Sequence, residues 1–194
     1  NLTLRDFGSL ALGGDLDVTG DAVIVARNSL LGGTGATLSA RDLVLTSQQG
    51  NIGAEDLLFD VLVTGKLVAQ AVTRVFLSSA GSVNLDRVTA SAAVLLNVAG
   101  VLRDGRSTVD RTAGRANITT TALDLRGGSV GTDLAAISAD VATLGFALSG
   151  GLWLTDSGDL AAKGTAGASV TLGVSGDLTV SDAMSVTTGG AGTR

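Results

Sequence analysis

The chain contains no cysteine, proline, histidine or tyrosine among its 194 residues, and only 3% of it is aromatic. Each absence excludes something. Without His or Cys there is no Ser–His–Asp triad, no Cys–His pair and no ordinary zinc site. Without Cys there is no disulfide framework, which small extracellular domains ordinarily use; at 194 residues a single apolar core is large enough to do without one. Without Pro, every residue keeps the backbone N–H that a strand ladder requires. Charged residues make up 16%, too few for long disordered tracts. The net charge of −5 argues against a nucleic-acid partner, which calls for clustered Lys and Arg. Apolar runs such as residues 92–96 fall far short of the ~18 residues of a spanning helix, so no membrane insertion is expected. The first residues, Asn1-Leu2-Thr3-Leu4, have neither the charged nor the apolar region of a signal peptide and read as the middle of a strand pattern. The expectation is one segment of a larger protein, with residues 1–194 forming a single unit and any secretion signal elsewhere.

What is present is Leu, Val, Ala and Ile in short alternating pulses. Leu16-Asp17-Val18, Leu43-Val44-Leu45, Val83-Asn84-Leu85, Leu123-Asp124-Leu125 and Leu178-Thr179-Val180 are examples. Each has the period of two that places alternate side chains on one face of a strand. Gly, Asp, Ser and Asn separate the pulses, and the 28 glycines suit tight turns. Residues 135–144 also admit a helical reading, weakened by Gly145 and by the lack of a capping box. Pulses are centred near residues 3, 24, 44, 62, 84, 102, 124, 143, 160 and 179, a step of about 20 residues. That period predicts an all-β, right-handed parallel β-helix of about nine to ten coils, stacked about 4.8 Å apart.

A longer repeat overlies the short one. Gly50-Asn51-Ile52-Gly53-Ala54 resembles Gly128-Ser129-Val130-Gly131-Thr132, and Val75-Phe76-Leu77-Ser78-Ser79-Ala80-Gly81 resembles Leu152-Trp153-Leu154-Thr155-Asp156-Ser157-Gly158. The offset is 78 residues from Gly53 to Gly131 and 77 from Val75 to Leu152, so one residue is lost in between. The duplicated blocks are about 43–100 and 123–178, and the spacing suggests four coils per copy.

These residues resemble the repeats of large filamentous-haemagglutinin-like bacterial exoproteins, over about residues 10–186. The resemblance implies a parallel β-helix shaft from a two-partner-secretion adhesin, exported through an outer-membrane transporter that recognises a domain outside this chain. It implies a secreted or surface-tethered location, and a role in attachment to host cells or in biofilm aggregation through an unidentified surface receptor or glycan. Two alternatives stay open: a polysaccharide-degrading β-helix lyase or hydrolase, and the shaft of a contact-dependent inhibition toxin. No cofactor is expected. A rod segment with unpaired ladders at its ends is also expected to stack end to end.

Candidate site residues are few. The polar stretch 103–116 interrupts the alternation and holds Arg103, Arg106, Arg111 and Arg115, four of the 11 arginines. It is read as a loop insertion, and its arginines as a candidate patch for an anionic ligand or partner. Phe76 and Trp153 are flanked by apolar residues and so point outward, either as carbohydrate-stacking platforms or as covers for a neighbouring segment. Asp15, Asp17 and Asp21 have oxygen ligands suited to Ca²⁺, yet the nonapeptide of calcium β-rolls is missing and outward turn residues explain them. Asp156 and Asp159 are spaced like a carboxylate dyad and also like an ordinary Asp-Ser-Gly-Asp turn. Asn1 and Asn117 head glycosylation sequons. Lys66 and Lys163 are the only lysines, and no acidic cluster opposite an arginine is evident from the sequence.

Overall fold

The structure is a computed structural model and describes residues 1–180 and 184–186. Residues 181–183 and 187–194, included in the predicted single unit, lie outside the described residues. Short alternating strands cannot bury their apolar faces alone, and here each one pairs in parallel with its counterpart one coil later. One ladder passes through Leu10, Leu30, Ile52, Val75, Val94, Leu123, Leu144, Ala162 and Val180, so the chain makes nine turns of a parallel β-solenoid. The fold class read from the 20-residue step is the one observed.

Each coil has two walls. The first contains strands Leu2–Asp6, Ala22–Ala26, Leu43–Ser47, Lys66–Ala71, Val83–Thr89, Ile137–Asp140, Leu152–Asp156 and Val170–Val174. The second contains Phe59–Val63, Arg74–Ser79, Thr143–Leu148 and Leu160–Ala166, and the long strands Ala93–Asp104 and Ala122–Val130 turn the corner from the second wall to the first. Residues 135–144, which admit a helical reading, instead form strand Ile137–Asp140 and the start of Thr143–Leu148.

Inward side chains stack into continuous aliphatic lanes. Leu4, Ile24, Leu45 and Ala69 follow one another in register, and all but Leu4 are fully buried. A buried Leu or Ile contributes about 1.5–3 kcal/mol relative to exposure, which is how a core almost without aromatics holds. Where a large residue does enter, its neighbour shrinks. Phe146 points inward, and a Cβ on Gly164 in the next coil would strike its ring and its carbonyl oxygen.

The two segments matched in the sequence share local backbone geometry but do not lie four coils apart. Gly53 and Gly131 both have positive φ, 70° and 67°, and each opens a two-residue reversal closed by paired backbone bonds, Ala54 with Leu57 and Thr132 with Ala135. Strands Lys66–Ala71 and Thr143–Leu148 share one burial pattern. Ile52, however, lies on the second wall of the third coil, and Val130 on the first wall of the seventh. The copies are three and a half coils apart and occupy opposite walls. The insertion in the sixth coil lengthens the chain without adding a turn.

Candidate functional site

The predicted loop insertion begins later than residue 103, because Arg103 and Asp104 still belong to strand Ala93–Asp104 and pair with Asn84 and Leu85. It is also partly helical. A single turn, Thr108–Thr112, is capped by Ser107, whose Oγ accepts the Asp110 N–H at 3.2 Å. Three of the four arginines are committed inside it. Arg106 grips Asp104 through Nε and Nη2, both at 2.9 Å, and also donates to the Arg115 carbonyl. Arg111 Nε reaches the same carboxylate at 3.0 Å, and Arg115 pairs with Asp110 at 3.1 Å. Of these four, only Arg103 is exposed without an ion pair among the described residues. The four do not converge on a shared opening for an anion.

Asn117 closes the insertion. It is fully buried; its Nδ2 donates to the Leu85 carbonyl at 2.8 Å and to Asp104 at 2.9 Å, and its Oδ1 accepts the Ser138 N–H at 3.0 Å. This side chain joins three successive coils, and the sequon it heads offers no free amide nitrogen for a sugar. Burial by itself would raise the Asp104 carboxyl, but hydrogen bonds from Arg106 and Asn117 outweigh it and lower its pKa to about 2.

Phe76 and Trp153 are outward residues of their strands, and each faces a gap. Strand Arg74–Ser79 pairs with Ile52 through Val75 and with Phe59 through Leu77; residues 53–58 bulge away between them, opposite Phe76. Likewise Leu152 pairs with Val130 and Leu154 with Ile137, so residues 131–136 bulge opposite Trp153. Phe76 retains 6% exposure, and the Trp153 ring folds back over Gly151, where a Cβ would meet Cη2 at 2.5 Å. Both aromatics fill space left by an excursion. They lie on different walls and cannot share a ligand.

The aspartates are held by the coil's own backbone. Asp156 is buried and accepts the Val141 N–H at 3.0 Å and the Gly158 N–H at 2.9 Å, while Asp159 accepts from Asp177 at 2.8 Å. Asp15 accepts from Thr37 at 2.9 Å and Asp21 pairs with Arg41 at 2.7 Å, leaving Asp17 alone on its strand. Among the described residues no three acidic groups come together in a way that would hold a metal ion. Asn1 is exposed and accepts the Asp21 N–H at 3.0 Å.

A longer concave feature lies elsewhere, on the outside of the second wall. Register places Phe76, Leu95, Asp124, Gly145 and Lys163 in one outward lane across five coils. Four spacings of about 4.8 Å make the lane about 19 Å long. A space of about 340 Å³ lies over Phe76, Leu95 and Asp124, bounded by Arg74 and by Glu55 from the first excursion. A second, of about 610 Å³, continues over Gly145, Arg126 and Lys163, and the two share Asp124, Gly145 and Lys163. Asp124 is already paired with Arg126 at 2.6 Å, and its hydrogen bond and charge, with weaker help from Glu55, raise the Arg126 pKa. Lys163, Arg74 and Glu55 have no ion pair among the described residues. The groove thus carries three cations against two carboxylates in a chain of net charge −5.

One carboxylate therefore faces an arginine on this outer wall, although among the described residues no acidic cluster does. Leu95 left a trace: Val94-Leu95-Leu96, like Val75-Phe76-Leu77, is apolar at the outward position and stands 19 residues further on, one coil away. Asp124, Arg126 and Lys163 left none, because polar outward residues are the default on a solvated strand. Comparison of the chain with protein-family models, with curated proteins and with solved structures finds no match in any of the three.

Proposed function

We propose that the chain is a structural and adhesive shaft segment of a secreted or surface-tethered bacterial adhesin, of the filamentous-haemagglutinin-like kind that its repeats resemble. In this role it holds a binding surface away from the cell and meets a receptor or glycan along its length, and export depends on a domain outside the chain. The observation that carries the reading is the ladder of nine rungs from Leu10 to Val180, unbroken by the insertion or by either excursion. Such a ladder makes a rod about 40 Å long. Every rung adds backbone hydrogen bonds and aliphatic contacts to its neighbours only, so length is gained without a larger core. Chemistry is displaced to the outer surface, where side chains vary without disturbing the lanes.

The test is adhesion by beads coated with the purified chain. Saturable attachment to host cells, or aggregation of bacteria, supports the reading. Inert beads would overturn it. Release of reducing or unsaturated ends from acidic polysaccharides would replace it with the degrading-enzyme alternative.

A further inference from the structure

We propose that the outward groove running from Arg74 to Lys163 binds an anionic oligosaccharide of about four sugar units, the length that fills about 19 Å. Its biological setting rests on the adhesive reading; its chemistry rests on the groove alone.

Three observations point to a ligand. First, the groove's two ends carry cations with no ion-pair partner among the described residues, Arg74 and Lys163, while the carboxylate at its centre is neutralised by Arg126 at 2.6 Å. Glu55 stands beside Arg74, also without an ion pair among the described residues, so an acidic ligand meets net positive charge at the Lys163 end and charge-balanced groups along the rest of the lane. Second, the lane is apolar where a solvated strand is ordinarily polar: Phe76 and Leu95 lie side by side on adjacent coils, packed to 6% and 4% exposure beneath the opening, so only their edges line it. Third, Gly145 keeps the lane open without being required by the fold. A Cβ there would meet nothing closer than the Asp124 carboxylate at 3.7 Å, and the position has no positive φ. Gly53 and Gly131, by contrast, are demanded by their backbone.

The ligand class follows from what the wall has left to offer. Its backbone N–H and C=O groups are spent in the ladder, so an extended peptide lying along the axis would find almost no partners for its own amides. A sugar chain needs none. Its hydroxyls reach Asp124 and the flanking Asn97 and Thr165, and its carboxylates or sulfates pair with Arg74 and Lys163.

The experiment is calorimetric titration of the whole chain with tetragalacturonate, alongside neutral maltotetraose and a hexaglutamate peptide. Saturable binding of tetragalacturonate that weakens with salt is expected, with maltotetraose weaker. Two variants locate it. Gly145→Tyr blocks the lane, and Arg74→Glu with Lys163→Glu reverses both ends; each should lower affinity about tenfold or more while circular dichroism stays unchanged. If Gly145→Tyr fails to fold, the charge-reversal pair decides alone. Absent tetragalacturonate binding, or binding that the folded variants leave unchanged, overturns the proposal. Hexaglutamate binding as tightly would overturn the sugar assignment. If tetragalacturonate binds but coated beads do not adhere, the adhesive reading fails and the groove stands; the reverse result fails the groove alone.

Discussion

Gly53 and Gly131 hold the same left-handed conformation, φ 70° and 67°, on opposite walls of the solenoid, each pressed against the carbonyl oxygen of an aromatic residue one coil on. The partners are Phe76 and Trp153, and in both places an added Cβ would sit inside van der Waals contact of that oxygen. Two penalties therefore coincide: a positive φ unfavourable to any L side chain, and a backbone clash that no rotamer relieves. Gly53→Ala and Gly131→Ala should each destabilise the chain by about 2–3 kcal/mol. Chemical denaturation would measure it, and a loss below about 0.5 kcal/mol at either site would contradict the shared geometry.

The sequence showed that the two glycines correspond and did not show where they lie. A strand of five to seven residues with alternating burial looks the same on either wall, so a half-coil shift leaves no mark on the pattern. Coil count and fold class were legible because the inward lanes impose a period that any reader can measure. Leu95 was legible in principle, as a second apolar centre one coil after Phe76. The rest of the groove was not, since Asp124, Gly145 and Lys163 acquire meaning only from a register that runs over five coils. The arginines misled for a physical reason. Arg106 and Arg111 look like a free basic cluster in the sequence, but both fold back onto Asp104, whose side chain keeps only 4% exposure.

That ion pair sets an acid limit. The Asp104 carboxyl has a pKa of about 2 in the fold, below its ordinary value of 3.8. A depressed carboxylate contributes stability that is fully present above its unfolded pKa and is lost as the pH falls through its folded one. The contribution, about 2 kcal/mol, should thus be intact above about pH 4 and fade toward pH 2. Asp104→Asn should flatten this limb of the stability curve. It should also destabilise the neutral protein by about 3 kcal/mol, because Arg106 is left buried and unpaired. An unchanged acid limb in Asp104→Asn would assign the transition to other carboxylates.

Cleavage within the insertion should leave the rod whole. Arg111 and Arg115 are exposed on the insertion, and the ladder bridges it on both sides, through Leu102 with Val130 and Val88 with Ile118. Brief trypsin treatment is expected to cut after one of them and give two fragments that co-migrate on gel filtration until denatured. Fragments that separate under native conditions would show that the insertion, and not the ladder, holds the sixth coil in place.

The first coil is built like the others but is covered on one side only. Strand Leu2–Asp6 pairs with Ala22–Ala26 and, among the described residues, with nothing on its other edge. Leu2, Leu4, Leu10 and Leu16 continue lanes whose next members, Ala22, Ile24, Leu30 and Leu38, are buried to 2% exposure or less, yet they themselves are only half-buried. Phe7 stands 89% exposed at the same end. An open ladder edge beside a row of leucines is a template for another strand. Small-angle scattering should accordingly show a mean mass that rises with concentration in the isolated chain. Leu4→Lys places a charge in the lane that a docked coil would have to bury, and should abolish the rise while leaving the melting temperature within a few degrees, because Leu4 is only partly buried. A mass that stays monomeric at every concentration, or association that Leu4→Lys does not reduce, would show that this edge is not used.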